Sequence, residues 1–168
     1  MFKKSILFLA VLFLVASIFT VYEKRTEAND TQGSETYFNK KGLSYFDHGF
    51  YKLTPKGRTD EASQYYESAI IEFKKAIEIN ESFLQAHLNL ARVYFVQKRF
   101  PEAAQVYIKA LQLNPTDIDI HLKLALAYSR VEKYAEAIDQ LKTARSLTTD
   151  EEAIEKLNGY IEKLSQEL

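Results

Sequence analysis

The sequence predicts an all-α fold of three stacked helix pairs, closed by a further helix at the carboxyl end. Three observations predict it. The stretch from Leu84 to Asp117 recurs at a spacing of thirty-four residues, so Ala69, Ala103 and Ala137 stand one frame apart, as do Ala76, Ala110 and Ala144. Bulky residues keep the same step: Phe73, Tyr107 and Leu141, then Tyr66, Phe100 and Tyr134. Glycine and proline number only 5 and 3 in 168 residues, which favours helix over sheet or disorder. With 46% of residues apolar, the chain can also fill a continuous core.

In the two cleaner copies Leu90 matches Leu124, Ala91 matches Ala125, Tyr94 matches Tyr128, and His87 matches His121. A leucine, a small residue and a tyrosine on the first helix, alanines and an aromatic on the second, and Pro115 after it make up a pattern. It resembles the tetratricopeptide repeat. The resemblance covers roughly residues 36–151 and implies a short right-handed superhelix. Repeat one takes 36–83 with an insertion near 52–66, repeat two takes 84–117, and repeat three takes 118–151. A capping helix takes 152–168. A signal or anchor at 1–28 and a linker at 29–35 precede the repeats.

The amino-terminal segment reads separately. Lys3 and Lys4 precede an uncharged, mostly apolar run from Ser5 to Tyr22, followed by Glu23, Lys24 and Arg25. This predicts an export signal or a membrane anchor. The run is near the lower limit for a spanning helix, about 17 residues. Small-residue sites at Val15-Ala16-Ser17 and Thr26-Glu27-Ala28 suit cleavage. The positive start stays cytoplasmic. The expected location is therefore a bacterial inner membrane with the repeats in the periplasm, or the periplasm itself after cleavage.

Helical spacing starts at about Thr36, with Tyr37, Phe38, Lys41, Gly42, Tyr45 and Phe46 in step. Gly42 takes the small position of repeat one, and Lys41 stands where the frame has leucine. A regular repeat would turn at His48-Gly49, but Lys52 to Thr59 intervenes, with Pro55 and Gly57 as turn signals. Thr59 or Asp60 is the expected cap of the next helix, Asp60–Asn80. Its first turns overhang the frame and present Tyr65 and Tyr66 to the linker or to a partner. Repeat two has helices near Ser82–Gln97 and Pro101–Leu113, and repeat three near Asp117–Val131 and Tyr134–Leu147. Thr149 or Asp150 caps a last helix to about Gln166, apolar at Ala153, Ile154, Leu157, Tyr160, Ile161 and Leu164 and charged elsewhere. Stacked repeats need such a polar-backed end.

Composition excludes several chemistries. Without cysteine there are no disulfides, thiol nucleophiles or thiolate metal sites. The first 28 residues hold four of the 22 basic and two of the 23 acidic residues, leaving a formal net −3 beyond them. No basic stripe points to nucleic acid. No nucleophile elbow or glycine-rich phosphate loop appears. His87 and His121 occupy slots that usually carry large aromatics, so their spacing follows from the period with no metal required. His48, at an expected helix end, suits the helix dipole. The reading is no enzyme, no cofactor and no small-molecule substrate.

In tetratricopeptide proteins the first helix of each repeat lines a groove that binds a peptide. The resemblance carries that role to Asn39, Lys40, Leu43, Phe46 and Asp47 in repeat one. In repeat two it falls on Gln85, Leu88, Asn89, Arg92, Phe95 and Val96. In repeat three it falls on Asp119, Leu122, Lys123, Leu126, Ser129 and Arg130. The alternative is that the apolar members pack on their own neighbours. A subclass that grips terminal carboxylates uses a lysine–asparagine–asparagine–lysine–arginine set. Here only Asn89 matches well, with Lys123 in place of arginine. Leu43 replaces an asparagine and Asp119 a lysine, and an acid there repels a carboxylate. The expected partner is another protein, with the membrane reached through the amino terminus. The expected role is a scaffold or assembly factor. The alternative is a constitutive subunit docked through the convex face or the overhanging helix.

Overall fold

A computed structural model describes residues 33–168. The Ser5–Tyr22 run, and the signal or anchor expected there, lies outside the described residues. Among those described, no helix is long and apolar enough to cross a membrane, and there are no strands. Seven α-helices follow in order. Helix α1 is Glu35–Asp47, α2 Thr59–Ile79, α3 Leu84–Val96, α4 Phe100–Leu113, α5 Ile118–Ser129, α6 Tyr134–Ser146 and α7 Glu151–Ser165. Each packs on the next, within pairs and between pairs.

Local chemistry sets many of the ends. Ser34, Asp117 and Asp150 each accept from free backbone N–H groups at the starts of α1, α5 and α7, as short oxygen-bearing side chains do at helix starts. The start of α2 differs from expectation. Thr59 is already helical, Arg58 holds the cap position without a side-chain bond, and Asp60 and Glu61 fill the first turn. Their carboxylates meet the positive end of the helix dipole.

The turn inside each pair has one construction. Lys98, Glu132 and Gly57 take the left-handed conformation, at φ 59°, 60° and 70°. The next N–H then reaches back five residues, from Arg99 to Tyr94 O (2.9 Å), Lys133 to Tyr128 O (3.0 Å) and Arg58 to Leu53 O (3.2 Å). Leu53 therefore does in repeat one what Tyr94 and Tyr128 do later, although Tyr45 holds their place in the frame. The first arm is eight residues longer than in the other repeats. In the second arm, ten positions separate Thr59 from Ala69, against three from Phe100 to Ala103. The added chain is thus divided between both arms of the hairpin and is not confined to residues 52–66.

Two α-turns take about seven residues. The eighth in the first arm is absorbed where α1 widens, without breaking, into a π-helical stretch, His48–Leu53. A π-turn accommodates an extra residue inside a continuing helix. The α-helix does end at His48, which is its C-cap, but the chain runs on as π-helix, and the His48 ring stacks on Tyr65 at 4.4 Å. The overhanging turns of α2 also have their own partner. Leu53, Ala62 and Tyr66 are buried. The Thr54 hydroxyl donates to Gly49 O (2.9 Å) and accepts from the Tyr66 hydroxyl (2.9 Å).

The core follows the frame. The alanines at 69, 103, 137, 76, 110 and 144 have no exposed surface. In repeat one a Cβ at residue 42 would come within 2.7 Å of the Phe73 ring, so only glycine admits that ring. Lys41, where the frame has leucine, turns outward to Glu72 (3.1 Å), which also accepts from Lys75 (3.3 Å). At the other end Leu157 of α7 is buried on Ala125, Ala137, Leu141 and Ala144, with Ile161 and Leu164 beside it. Its charged residues stay exposed, which closes the stack as a terminal cap must.

Candidate functional site

The residues expected to line a groove separate into three groups. Phe46 is 1% exposed and belongs to the core. Asn39 and Asn89 are buried and committed to one another: Asn89 Nδ2 donates to Asn39 Oδ1 (2.8 Å), and Asn89 Oδ1 accepts from Gln85 Nε2 (3.2 Å). A buried amide is kept only with its hydrogen bonds made, so this pair ties α1 to α3 and is not open to a peptide. The second group is half-buried. Leu43, Leu88, Phe95 and Val96 pack against the larger core cluster and Leu122 against the smaller. Phe95 sets its edge on Phe100 at 5.0 Å, inside its own repeat. Each of these apolar side chains is thus partly covered by its neighbours and partly exposed.

The third group remains at the surface: Lys40, Arg92, Leu126 and Arg130, with Lys123 paired to Asp119. Arg92 and Leu126 hold the same place in successive repeats. Leu126 is 44% exposed, and it is the large apolar residue that α3 and α5 leave uncovered. Arg92 lies with its guanidinium carbon 4.5 Å from the Phe46 ring and 5.9 Å from Phe50. Its Nη2 is 3.4 Å from the Tyr51 hydroxyl. Phe50 and Tyr51 belong to the π-helical stretch, so the lengthened first arm builds one wall of this site. Sequence reasoning missed both. The signal was there: Phe46, Gly49, Phe50 and Leu53 keep helical spacing straight through the expected turn.

Tyr107 of α4 is buried close enough to Arg92 to feel its charge. Burial, then the nearby Asp119 carboxylate, push its hydroxyl up from 10.0 to about 12, while Arg92 acts in the opposite direction. The folded value lies above the unfolded one. The folded state therefore holds the proton more tightly, and that stability is complete below about pH 10 and is lost as pH rises towards 12. Tyr107→Phe is expected to remove this loss. Urea midpoints at about pH 8 and 11 check it: the wild type should lose on the order of 1–2 kcal/mol more than the variant. Equal losses would mean that burial of the hydroxyl is overstated.

The two framed histidines have a structural use the sequence did not disclose. His87 Nε2 is 2.8 Å from Glu81 O, and His121 Nε2 is 3.0 Å from Pro115 O, each pinning the loop six residues back. His121 Nδ1 also meets Gln140 Oε1 (2.8 Å). Among the described residues no group of three or more histidine and carboxylate side chains is placed to hold a metal.

Two family models match the chain: one described as "TPR repeat" over residues 91–131, and one described as "Tetratricopeptide repeat" over residues 56–83. Residues 56–83 and 91–131 are tetratricopeptide repeats. Solved structures carry the same fold. A thermophilic TPR protein of Thermus thermophilus is 19% identical, with a TM-score of 0.65, covering 82% of this chain and 69% of that one. A yeast Sti1 TPR2B domain in complex with an Hsp70 peptide is 20% identical, with a TM-score of 0.56, covering 77% and 99%. The Yersinia enterocolitica type III secretion chaperone SycD, in complex with a peptide of the translocator YopD, is 14% identical, with a TM-score of 0.57, covering 76% and 94%. No curated protein matches the sequence. The tetratricopeptide match to 56–83 begins inside the lengthened hairpin, at its turn. The Asn89 position that resembles a carboxylate clamp is closed by Asn39, and Asp119 is closed by Lys123.

Proposed function

We propose that this protein is a protein–protein interaction module that scaffolds or assists assembly of a membrane or periplasmic complex. Its first-helix face takes a segment of the partner. The observation that carries this reading is the pair Arg92 and Leu126, one stacked cation and one uncovered leucine at equivalent places in repeats two and three. An apolar anchor beside a charge is how such surfaces join desolvation energy to register. The solved tetratricopeptide complexes with Hsp70 and YopD peptides support it by analogy of fold. The Ser5–Tyr22 run supports a tether to a bacterial inner membrane with the repeats in the periplasm, or release there after cleavage. Intact mass of the purified chain separates those two forms.

A second reading, a constitutive subunit docked through the other face, is favoured by Ile79, Leu113 and Leu147. They lie one frame apart at the ends of the second helices and are 48%, 38% and 36% exposed. Full-length protein purified in mild detergent with its bound partner separates the readings. Leu126→Asp is expected to reduce partner recovery about tenfold or more, as loss of a buried anchor does. Leu113→Asp is expected to leave it intact. The opposite pattern would assign the interface to the second helices.

A further inference from the structure

Among the described residues two arginines lie over aromatic rings, and only one of them has its charge answered. Arg99 lies 4.5 Å from the Tyr94 ring, and its N–H groups reach Glu102 (2.9 Å) and Glu67 (3.4 Å). Arg92 lies at the same 4.5 Å from Phe46, yet among the described residues no carboxylate meets it. Its one polar neighbour within hydrogen-bond reach there is the Tyr51 hydroxyl. Neighbouring cations are spoken for: Lys41 and Lys75 by Glu72, Lys123 by Asp119 and Arg58 by Glu61.

Stacking has a chemical consequence. A ring against the guanidinium face fixes the plane and leaves the in-plane N–H groups directed outward, in the fork geometry that matches a carboxylate. The side chain is held before any ligand arrives, so less rotamer entropy is lost on binding. Three of the aromatic groups involved come from the lengthened first arm: Phe46 at its base, then Phe50 and Tyr51 in the π-helical stretch. Tyr51 is 58% exposed, sets its ring edge-on to Phe50 at 5.0 Å and turns its hydroxyl to Arg92.

We infer that the lengthened hairpin of repeat one builds a pocket in which Arg92 and the Tyr51 hydroxyl grip one acidic side chain, Asp or Glu, of the partner segment. This rests on the first-helix face being the binding face. A chain-terminal carboxylate is the other source of the same chemistry. It is disfavoured because the asparagines available to share it, Asn39 and Asn89, are buried and bonded to each other.

The test is selection of random peptides displayed as internal loops, with no free terminus, on the full-length protein in detergent. A consensus with Asp or Glu at one position is expected. In the selected peptide, Glu→Gln should weaken binding about tenfold or more, the scale of a charge-assisted hydrogen-bond pair. Against Arg92→Gln protein the Glu and Gln peptides should bind equally, and Tyr51→Phe should narrow their difference. A consensus that is neutral at every position, or an acidic preference that survives Arg92→Gln, overturns the pocket while leaving groove binding in place. A matched library with free carboxyl ends is selected in parallel, and binders found only in that library overturn the side-chain assignment. Peptides whose binding is lost with Leu113→Asp and unaffected by Leu126→Asp overturn the binding face itself, and the pocket with it.

Discussion

Phe73→Ala is expected to cost about 3–5 kcal/mol, the range for removing a fully buried aromatic ring. Its side chain has no exposed surface, and its ring lies where a Cβ on residue 42 would stand. It is the wedge that sets how closely α1 and α2 approach. The surrounding helices cannot collapse into the space, because Gly42 has no side chain to move and Lys41 is held outward by Glu72. In a domain stabilised by about 5–15 kcal/mol, such a loss is a large share of the total. It also falls on repeat one, which among the described residues packs on one further repeat instead of two. Urea unfolding followed by circular dichroism checks it. Gly42→Ala should be destabilising in the wild type and much less so in a Phe73→Leu background, because the two positions compete for the same volume. A loss under about 1 kcal/mol for Phe73→Ala, or equal costs of Gly42→Ala in both backgrounds, would show that the ring is not what spaces these helices.

Removal of residues 52–66 is expected to unfold repeat one. On the sequence alone this excision restores an approximately regular repeat. In the folded protein it takes out Leu53, Ala62 and Tyr66, all buried in the larger core cluster, together with the Thr54–Tyr66 hydrogen bond and the left-handed turn at Gly57. It strips Tyr66 from Phe46, and Ala62 and Tyr66 from Gly49. Fully burying side chains of this kind contributes about 1.5–3 kcal/mol each, so the sum exceeds what one repeat can lose. The deleted protein should lose the helical signal of α1 and α2 and gain protease sites before Ala86, while repeats two and three persist. Cooperative melting within a few degrees of the parent would mean that the lengthened hairpin is neutral elongation.

Much of the fold was legible because a repeat states its core several times over. Ala69, Ala103 and Ala137 mark the same close approach of helices in three copies. Asp150 and the apolar face of Leu157, Ile161 and Leu164 announce the terminal cap by local rules alone. Repeat one was harder, since it has one copy of its own length. Pro55 and Gly57 signal the turn that the chain makes at Gly57, yet the same sequence suits an insertion or two longer arms equally well. Only the approach of Gly49 to Ala62 and Tyr66, and the Thr54–Tyr66 bond across the hairpin, chooses.

The first-helix face shows the same division. Its helical register follows from the frame, and so does the equivalence of Arg92 with Leu126. Whether a polar residue on that face is available does not follow, because availability depends on what comes near it from far along the chain. Asn39 meets Asn89 fifty residues away, and Tyr51 meets Arg92 at forty-one. Sequence alone determined the helices, the period and the cap, which rest on local propensity and repeated burial. Tertiary structure decided which asparagines are spent on each other and which arginine is left stacked and unanswered, since only folding sets the distances over which hydrogen bonds and charges act.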